Sequence, residues 1–340
     1  MNSSSIRVYL LTYRRPHTLE RALRSLQAQT HTNWICEMHN DDPHDTFPER
    51  LVLEVNDRRI IYVRHTKNLG ASESFSLAYR PVAEQFMSIL EDDNWWEPEF
   101  LEIALQVLRA NPTLTLVWAN MWKWQESPGN LWAKAGTIWP TEDHDGIEPI
   151  SEDHPRQVVN HLHSHGAMVL RVGPNTTFAT PQTIPVAIIE PIRERAYPLP
   201  MARINRPLGN FALTLTNCHD PNLARYLQGL VLLAGSFLRH ASKPSGFYLR
   251  AWQIAKSTSI YLMIAIFVSV VSQGRFKLLR KFPLRDLAFC AGWCGRHPRR
   301  LFGMLRAAHD QPELEAFLDS ASQQKWCNSK QCGRWKSPEP

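Results

Sequence analysis

A short apolar run that ends in three consecutive carboxylates, Glu91, Asp92 and Asp93, constrains the fold of this chain more than any other stretch. The run, residues 86–90, has the length and composition of a strand buried on both faces, as in the middle of a parallel sheet. The strand must end where the charges begin, because unpaired like charges cannot be buried beside it. The carboxyl ends of such strands are where open α/β sheets bind ligands. The stretch therefore predicts either a site for a hard divalent metal or a solvated acidic turn before a helix.

Strand and helix patterns alternate around this stretch through the first 120 residues. Strands are predicted at 6–11, 34–38, 59–63, 86–90 and 113–118, and helices at 16–29, 72–79 and 98–110. Because the connections between them are short, the pattern predicts a parallel, doubly wound α/β sheet.

After residue 120 the predicted secondary structure changes twice along the chain. Residues 121–207 are irregular apart from a strand at 165–171, and their many tryptophans predict a lid or a cleft lining. Residues 208–328 are predicted to be helical, and residues 329–340 to be a flexible tail. The helices are expected near 222–239, 248–272, 283–292, 298–308 and 312–322. We therefore expect an α/β domain over residues 1–207, with a nucleotide-binding half at 1–120 and an acceptor-side segment at 121–207, followed by a helical region.

Composition and motifs exclude several classes of protein. The net charge of +6 fits anionic substrates or an anionic membrane surface. Zinc-finger spacing, an RNP-like aromatic pattern and a long basic arm are absent, which argues against nucleic acid as a partner. The first strand ends in Thr-Tyr-Arg-Arg without a glycine-rich loop, which disfavours dinucleotide-binding dehydrogenases and P-loop enzymes. No secretory signal pattern is visible at the N-terminus, so we expect a cytoplasmic protein, either free or on the cytoplasmic face of a membrane.

Residues 257–274 carry no charge and have basic residues on both sides. Their apolar core is shorter than the roughly 20 residues that a helix needs to cross a bilayer. A buried helix is the favoured interpretation. Peripheral contact with an anionic membrane through 257–274, and a true span, stay open.

Two cysteine pairs raise the question of a zinc site: Cys290 with Cys294, and Cys327 with Cys332. Their spacing is looser than that of the usual paired zinc motif, and a helix separates the pairs. Ordinary helical cysteines are therefore favoured.

Three polar turns follow strands that should be neighbours in the sheet, at residues 12–15, 40–42 and 91–93. Together they supply the groups that bind a nucleoside diphosphate. Tyr13 can cover a base, and Asp41 can accept a hydrogen bond from a base imide or a ribose hydroxyl. Glu91 and Asp93 can reach a ribose hydroxyl and a metal, and such a metal assists departure of a diphosphate leaving group.

These motifs resemble the family 2 glycosyltransferases of GT-A fold. Residues 6–16 and the helix after them are similar to the family's opening, and 40–42 stand where the family has a paired-Asp turn. Asn68-Leu69-Gly70 resembles its next signature. Residues 90–94 occupy the DxD segment, with Glu91 in place of the usual first Asp.

The resemblance implies a GT-A-type, mostly parallel sheet flanked by helices, and an enzyme that transfers a sugar from a nucleotide-diphospho-sugar to an acceptor hydroxyl. The acceptor would be a glycan, a lipid-linked molecule or another hydroxyl compound, and an inverting reaction assisted by Mn²⁺ or Mg²⁺ is expected. The expected donor-binding residues are Thr12, Tyr13, Arg15, Asp41, Asn68, Gly70, Glu91 and Asp92, and the expected metal ligands are Asp93 and Glu91.

Apart from Glu91, the chain departs from the family in three places, and the first is the paired-Asp turn, which here is Asn-Asp. The arginine that often follows the Asn-x-Gly turn is absent, and Phe75 and Ser76 stand near its position. The acidic segment that holds the catalytic base is not recognisable. An inverting transfer needs a carboxylate within hydrogen-bond reach of the acceptor hydroxyl, and Glu190 or Glu194 is the candidate. The alternative for either is a surface glutamate paired with a neighbouring arginine.

Other interpretations remain open from the sequence. His161, His163 and His165 alternate, which predicts a shared strand face where they bind metal, line the acceptor cleft or, as is favoured, are solvated. A nucleotidyltransferase is the rival enzyme, and a degenerate nucleotide-sugar-binding or scaffold protein is the rival without catalysis.

Overall fold

The computed structural model describes residues 5–140, 145–150, 152–172, 180, 181, 184–215 and 222–327. The predicted tail at 329–340 lies outside the described residues, as do Cys332 and the side chain of Cys327.

The strands of the described residues join in a single mixed sheet. They are β1 (Ile6–Thr12), β2 (Trp34–Asn40), β3 (Ile60–Arg64), β4 (Phe86–Glu91), β5 (Trp95–Trp96), β6 (Leu116–Ser127), β7 (Leu131–Thr137), β8 (Ile147–Ile150), β9 (Met168–Arg171) and β10 (Met201–Leu213). The main path runs β3-β2-β1-β4-β9-β6-β10-β5, with β7 on β6 and β8 on β10.

Helices flank this sheet in the first half of the chain and then form a region of their own. The first group is α1 (Pro16–Gln27), α2 (Phe47–Val55), α3 (Ala71–Leu77), α4 (Phe100–Ala110) and α5 (Ile189–Ala196). The second group is α6 (Leu223–His240), α7 (Ser245–Thr258), α8 (Ile260–Ser272), α9 (Phe276–Leu279), α10 (Leu284–Arg296), α11 (Pro298–Leu305), α12 (Ala307–Asp310) and α13 (Pro312–Cys327).

The first four long strands form the parallel unit that the sequence predicts. β1 pairs in parallel with β2 on one side and with β4 on the other, and β3 extends β2. The register sets Thr12 opposite Asn40 and Leu11 opposite Glu91. Because the three strands end at the same level, the polar turns that follow them meet at one edge of the sheet.

Apolar periodicity explains why α1 packs as it does. Pro16 opens the helix, where its missing N–H costs nothing. Leu19, Ala22, Leu23 and Leu26 lie on one face at three- and four-residue spacing, and all four are buried against the sheet. Burial of each leucine contributes roughly 1.5–3 kcal/mol before conformational entropy is counted.

The predicted boundary between residues 207 and 208 is wrong, because it falls inside β10. Met201–Leu213 is a strand paired in parallel with β6, and the helical region begins at Leu223. The pairing register shifts on both sides of Pro207. Proline is tolerated within a sheet at such irregularities. Because proline and glycine are rare in strand interiors, Pro207 and Gly209 made the segment look unlike a strand in the sequence.

The long helix predicted at 248–272 is two helices. Ser259 has an extended backbone, with φ −162°, and its hydroxyl accepts a hydrogen bond from the Tyr261 N–H at the start of α8. Most of the apolar core of 257–274 is buried within the helical region, which agrees with the favoured interpretation. Within the described part of the chain, no helix has both the length and the apolar character to cross a membrane.

α6 packs closely against the segment that precedes α5. A Cβ atom added to Gly229 of α6 would lie 2.1 Å from Cδ1 of Ile188, a side chain that is 1% exposed. The absence of a side chain at position 229 therefore sets how closely the helical region approaches the sheet domain.

We predict that Gly229→Ala lowers stability, although alanine favours helix by about 1 kcal/mol over glycine. Overpacking against Ile188 costs roughly 1–3 kcal/mol, which offsets that gain. Gly292→Ala in α10 is the matched control, since the nearest atom to its added Cβ is the end of Arg296 at 3.8 Å. Urea unfolding should give a lower midpoint for Gly229→Ala than for Gly292→Ala. Equal midpoints would contradict the close contact.

Candidate functional site

A cavity of about 640 Å³ opens at the edge of the sheet where β1, β2 and β4 end. Its wall contains every sequence-predicted site residue except Glu194. These residues are Thr12, Tyr13, Arg15, Asp41, Asn68, Gly70, Glu91, Asp92, Asp93 and Glu190. The three polar turns, which lie up to 80 residues apart along the chain, therefore share one site.

The turn after β1 places an aromatic ring and cations at the cavity. The Tyr13 ring is 37% exposed, and its backbone N–H donates to Asp92 Oδ2 at 3.1 Å. Arg14 adopts a left-handed backbone, with φ +55°, and pairs with Asp42 at 2.6 Å. This anchoring leaves Arg15 in the cavity wall, where its Nη1 donates to the Thr214 hydroxyl at 3.3 Å.

Asp41 organises the turn that follows β3. Its Oδ1 accepts hydrogen bonds from the Leu69 N–H at 2.8 Å and from His65 Nδ1 at 2.9 Å. Its Oδ2 accepts from the Gly70 N–H at 3.0 Å, and Gly70 has φ +78°, a conformation that favours glycine. The carboxylate thus joins the ends of β2 and β3, and it holds the Asn68-Leu69-Gly70 turn in the cavity wall.

The carboxylates after β4 repel one another at the bottom of the cavity. Burial, followed by the charge of Asp93, raises the pKa of Asp92 to about 7. Burial and then the charges of Asp93, Glu190 and Asp92 raise the pKa of Glu91 well above its ordinary value. One oxygen of Glu91 accepts from Asn94 Nδ2 at 2.5 Å. A cation bound at this cluster would therefore stabilise the ionised carboxylates.

A divalent metal fits this chemistry only with ligands from outside the protein. In the ranges that the structure describes, no group of three or more His, Cys, Asp or Glu side chains converges on a metal position. Mg²⁺-type sites often use one or two carboxylates and complete the shell with water and substrate phosphate oxygens. Glu91 and Asp93 could hold a metal in that way.

Arg21 supports this edge of the site, a role that the sequence analysis did not predict. Its Nη2 donates to the backbone carbonyl of Asp93 at 2.9 Å. Its guanidinium lies 3.7 Å from the centre of the Trp95 ring and 4.5 Å from that of Trp132. Burial lowers the pKa of Arg21 to about 10, so it stays charged at neutral pH. Trp132 of β7 thus packs beside the acidic turn, but no tryptophan of the described residues borders the cavity, so the predicted tryptophan lining is not found there.

Glu190 lies in the first turn of α5, on the wall opposite β1. Its Oε1 accepts the His165 N–H at 2.9 Å, and its Oε2 lies 3.2 Å from His161 Nε2. The side chain is 26% exposed. Burial lowers the pKa of His161, so at neutral pH its imidazole is uncharged. A partly exposed carboxylate with an imidazole partner is well suited to accept a proton.

Glu194 lies one turn further along α5 and is buried away from the cavity. Its Oε1 accepts from Gln157 Nε2 at 2.6 Å, and its Oε2 accepts from His163 Nδ1 at 2.6 Å. The Leu162 N–H also donates to Oε2, at 2.6 Å. Burial alone would raise the pKa of Glu194, but His163 and Lys325 hold it below its ordinary value. With its oxygens engaged inside the core, Glu194 is badly placed to serve as a base.

The histidine cluster differs from its prediction in both structure and exposure. His161 and His163 lie in a turn, and His165 begins a 3₁₀ segment, so they share no strand face. His163 and His165 are each 1% exposed instead of solvated. Of the three, only His165 borders the cavity.

Other residues also line the cavity wall. His165 was weighed above as a lining of the acceptor cleft, whereas Phe75, Val186 and the end of β10 at 211–213 were not predicted as site residues. The sequence analysis noted Phe75 only because it stands near the position of the family's arginine. In the structure, Arg193 of α5 lies beside Phe75 and donates a hydrogen bond to the Ser76 hydroxyl at 3.0 Å. A strand assignment for 201–213 would have brought 211–213 to the same edge, but Pro207 argues against one.

The described cysteines do not support a zinc site. Cys290 and Cys294 are buried in the helical core, and burial raises the pKa of Cys290 to about 12. A thiol so hard to ionise is a poor metal ligand.

Sequence comparison agrees with this geometry. Residues 8–171 match the model of Glycosyl transferase family 2. This part of the chain belongs to that family. The matched range contains β1 to β9, and with them the three polar turns that resembled the family in sequence. The resemblance drawn from those motifs is therefore confirmed.

Two curated relatives from Escherichia coli match the same part of the chain. The putative colanic acid biosynthesis glycosyl transferase WcaA of strain K12 is 30% identical over 122 residues, 35% of this chain and 43% of the relative. The UDP-Glc:alpha-D-GlcNAc-diphosphoundecaprenol beta-1,3-glucosyltransferase WfgD is 25% identical over 111 residues, 33% of this chain and 44% of the relative. The matches thus span less than half the length of these relatives.

Solved structures confirm the GT-A fold over nearly the whole chain. S. aureus TarS 1–349 in complex with UDP has a TM-score of 0.61 and 11% identity, covering 91% of this chain and 92% of that one. The same protein in complex with UDP-GlcNAc has a TM-score of 0.58 and 9% identity, with the same coverage. At this level of identity the likeness concerns the fold alone.

We predict that Glu194→Ala destabilises the protein by roughly 3–5 kcal/mol, since it leaves the His163 imidazole buried without its acceptor and removes the carboxylate charge beside the buried Lys325. Glu190→Ala is the matched control, one turn away on α5 and partly exposed, and it should cost under about 1 kcal/mol. Chemical denaturation of both variants measures the difference. A stable Glu194→Ala variant would show that the buried network is not structural.

Proposed function

We propose that this protein is a metal-assisted, inverting glycosyltransferase that transfers a sugar from a nucleotide-diphospho-sugar to an acceptor hydroxyl. The observation that carries the proposal is the meeting of the three polar turns and Glu190 around one cavity. Family membership of residues 8–171 supports the reaction class.

The nucleotide end of the donor fits the side of the cavity formed by β1 and β2. The exposed Tyr13 ring offers a stacking face for a base. Asn68 and Asp41 offer acceptors for base or ribose hydrogens, and Arg15 offers a cation to the diphosphate. The names of WfgD and of the TarS complexes include UDP-sugars or UDP, which supports a uridine nucleotide as the first donor to test.

Glu91 and Asp93 would hold Mn²⁺ or Mg²⁺ together with the donor diphosphate. The bound ion would supply Lewis-acid stabilisation of the leaving diphosphate. The raised pKa values of Glu91 and Asp93 support this assignment, because burial withdraws the water that would otherwise stabilise the two charged carboxylates. Arg21 contributes by fixing the Asp93 carbonyl, and with it the path of the turn.

Glu190 is the proposed catalytic base. It would remove the proton from the acceptor hydroxyl as that oxygen attacks the anomeric carbon, while the diphosphate leaves from the opposite face. The hydrogen bond from the His165 N–H fixes the carboxylate, and uncharged His161 leaves it able to accept a proton. The name of WfgD includes a diphosphoundecaprenol-linked acceptor, which supports a lipid-linked glycan as the acceptor class here.

We predict that UDP binds this protein more tightly with Mn²⁺ than without, and that Asp93→Asn removes the metal-dependent part of the affinity. Replacing a partner that only orients a metal ligand typically lowers metal affinity about 10–100-fold, so we expect replacement of a chief ligand to cost at least about tenfold. Glu102→Gln, an exposed change on α4, is the control. Isothermal titration of UDP with and without Mn²⁺ measures the effect. Metal-independent binding that Asp93→Asn leaves unchanged would rule out the metal role.

We predict that Glu190→Gln slows turnover about 10²–10⁴-fold, the range for loss of a general base, while the Kd for UDP stays unchanged. Release of UDP from UDP-glucose and UDP-GlcNAc, with water as the acceptor, gives the rate. An unchanged kcat would show that Glu190 is not the base.

The same assays distinguish the two rival functions. Binding of UDP without any release from either donor would favour the scaffold alternative. Release of pyrophosphate from UTP and a sugar phosphate would favour a nucleotidyltransferase.

A further inference from the structure

The positive charge of this protein is concentrated in one short segment of the helical region. Residues 275–306 contain nine Lys and Arg residues and a single acid, Asp286, for a net charge of +8. The whole chain carries +6, so the other residues together carry −2. Asp286 is buried and pairs with Lys256 at 2.6 Å, so it does not offset the charge of the surface.

The same segment exposes large apolar side chains. Five of the twelve large hydrophobic residues exposed in the described part of the chain lie within these 32 residues. They are Phe276, Leu284, Phe289, Phe302 and Leu305. Leu284 is 83% exposed and Phe302 60%. Single exposed apolar residues are ordinary, but a group of them in one segment marks an interaction surface.

The spacing within α10 separates a core face from a mixed outer face. Its buried residues, Asp286, Cys290, Trp293 and Cys294, follow helical periodicity and pack against the helical core. On the other face of the same helix, Arg285 and Phe289 are exposed and lie four residues apart. Leu284 and Ala288 are exposed beside them, also four residues apart. The outer face thus alternates apolar groups with arginines.

α11 continues this pattern. Met304 is its buried residue, while Phe302 and Leu305 are exposed. Arg306 lies 5.5 Å from the centre of the Phe302 ring, so cation and aromatic ring stand together. Arg299 and Arg300 precede them, both exposed.

An anionic bilayer surface matches both properties at once. Arginine and lysine can extend their charged ends to lipid phosphates while apolar side chains enter the boundary with the acyl chains. Nucleic acid would use the cations but leaves leucine and phenylalanine side chains unused. A protein partner would have to supply a strongly acidic apolar surface.

We infer that residues 275–306 form a peripheral docking surface for an anionic lipid bilayer. This surface is distinct from the segment 257–274, whose apolar core packs inside the protein. The inference does not depend on the proposed reaction, because binding is measured without donor or acceptor.

Co-sedimentation of the full chain with vesicles tests the inference. Vesicles of phosphatidylcholine alone are compared with vesicles that also contain phosphatidylglycerol. The double variant Leu284→Ser/Phe302→Ser removes exposed apolar area, and Arg299→Ser/Arg300→Ser removes two charges. The matched control is Leu53→Ser/Leu131→Ser, two residues that are 73% and 66% exposed elsewhere. Thermal unfolding establishes that each variant is folded.

We expect binding to the phosphatidylglycerol vesicles that weakens as salt is added. Each test variant should weaken it roughly tenfold or more, since each basic residue near an anionic surface strengthens binding about fivefold. The control should bind as the unchanged protein does. Equal binding to both vesicle types, or a loss in the control as large as in the test variants, would overturn the inference.

Two further results would also overturn it and identify another occupant. Salt-sensitive binding to RNA homopolymers that exceeds vesicle binding and survives Leu284→Ser/Phe302→Ser would indicate nucleic acid. A dimer in light scattering that the same double variant dissociates, without any vesicle binding by the monomer, would indicate a second copy of the chain.

Discussion

Repulsion within the acidic turn after β4 is the constraint on which the site depends. Glu91, Asp92 and Asp93 leave a strand with a fully buried interior and enter a cavity that solvent reaches poorly, which raises the pKa of each carboxyl. Nearby cations offset only part of this cost, through Arg21 at the Asp93 carbonyl and Arg15 in the wall. A bound counterion would offset this cost, and this is the physical basis of the proposal that metal and diphosphate bind together.

The helical region supports the site from outside the cavity wall, through its contacts with α5. Glu194 accepts hydrogen bonds from the segment before β9, and its carbonyl accepts one from Lys325 of α13. Because Glu194 and Glu190 lie on successive turns of α5, this buried network fixes the helix that carries the proposed base. Gly229 of α6 allows the same close packing beside Ile188. The position of Glu190 thus depends in part on Lys325, which lies more than 130 positions later in the chain.

The sequence predicts the parallel half of the sheet and most of the cavity wall, because both depend on local patterns. β1, β2 and β4 are apolar runs that end in polar turns, and the turns must meet where parallel strands end. The remainder depends on tertiary contacts. Pro207 lowers the strand propensity of β10, so the strand is not predicted. The burial of His163 and His165 follows from packing against α5 and the sheet. No local pattern distinguishes Glu190 from Glu194, since the difference is which one the core encloses.

The pairing of β10 with β6 has a consequence for how this protein can be divided. The family match ends at Arg171, yet the sheet continues through Met201–Leu213, and the end of that strand forms part of the cavity wall. A fragment cut at the end of the match would leave the long edge of β6 without its partner, and unpaired edges promote aggregation. The range that matches the family is therefore smaller than the unit that folds. During synthesis, the nascent chain cannot complete its sheet until residue 213 has left the ribosome.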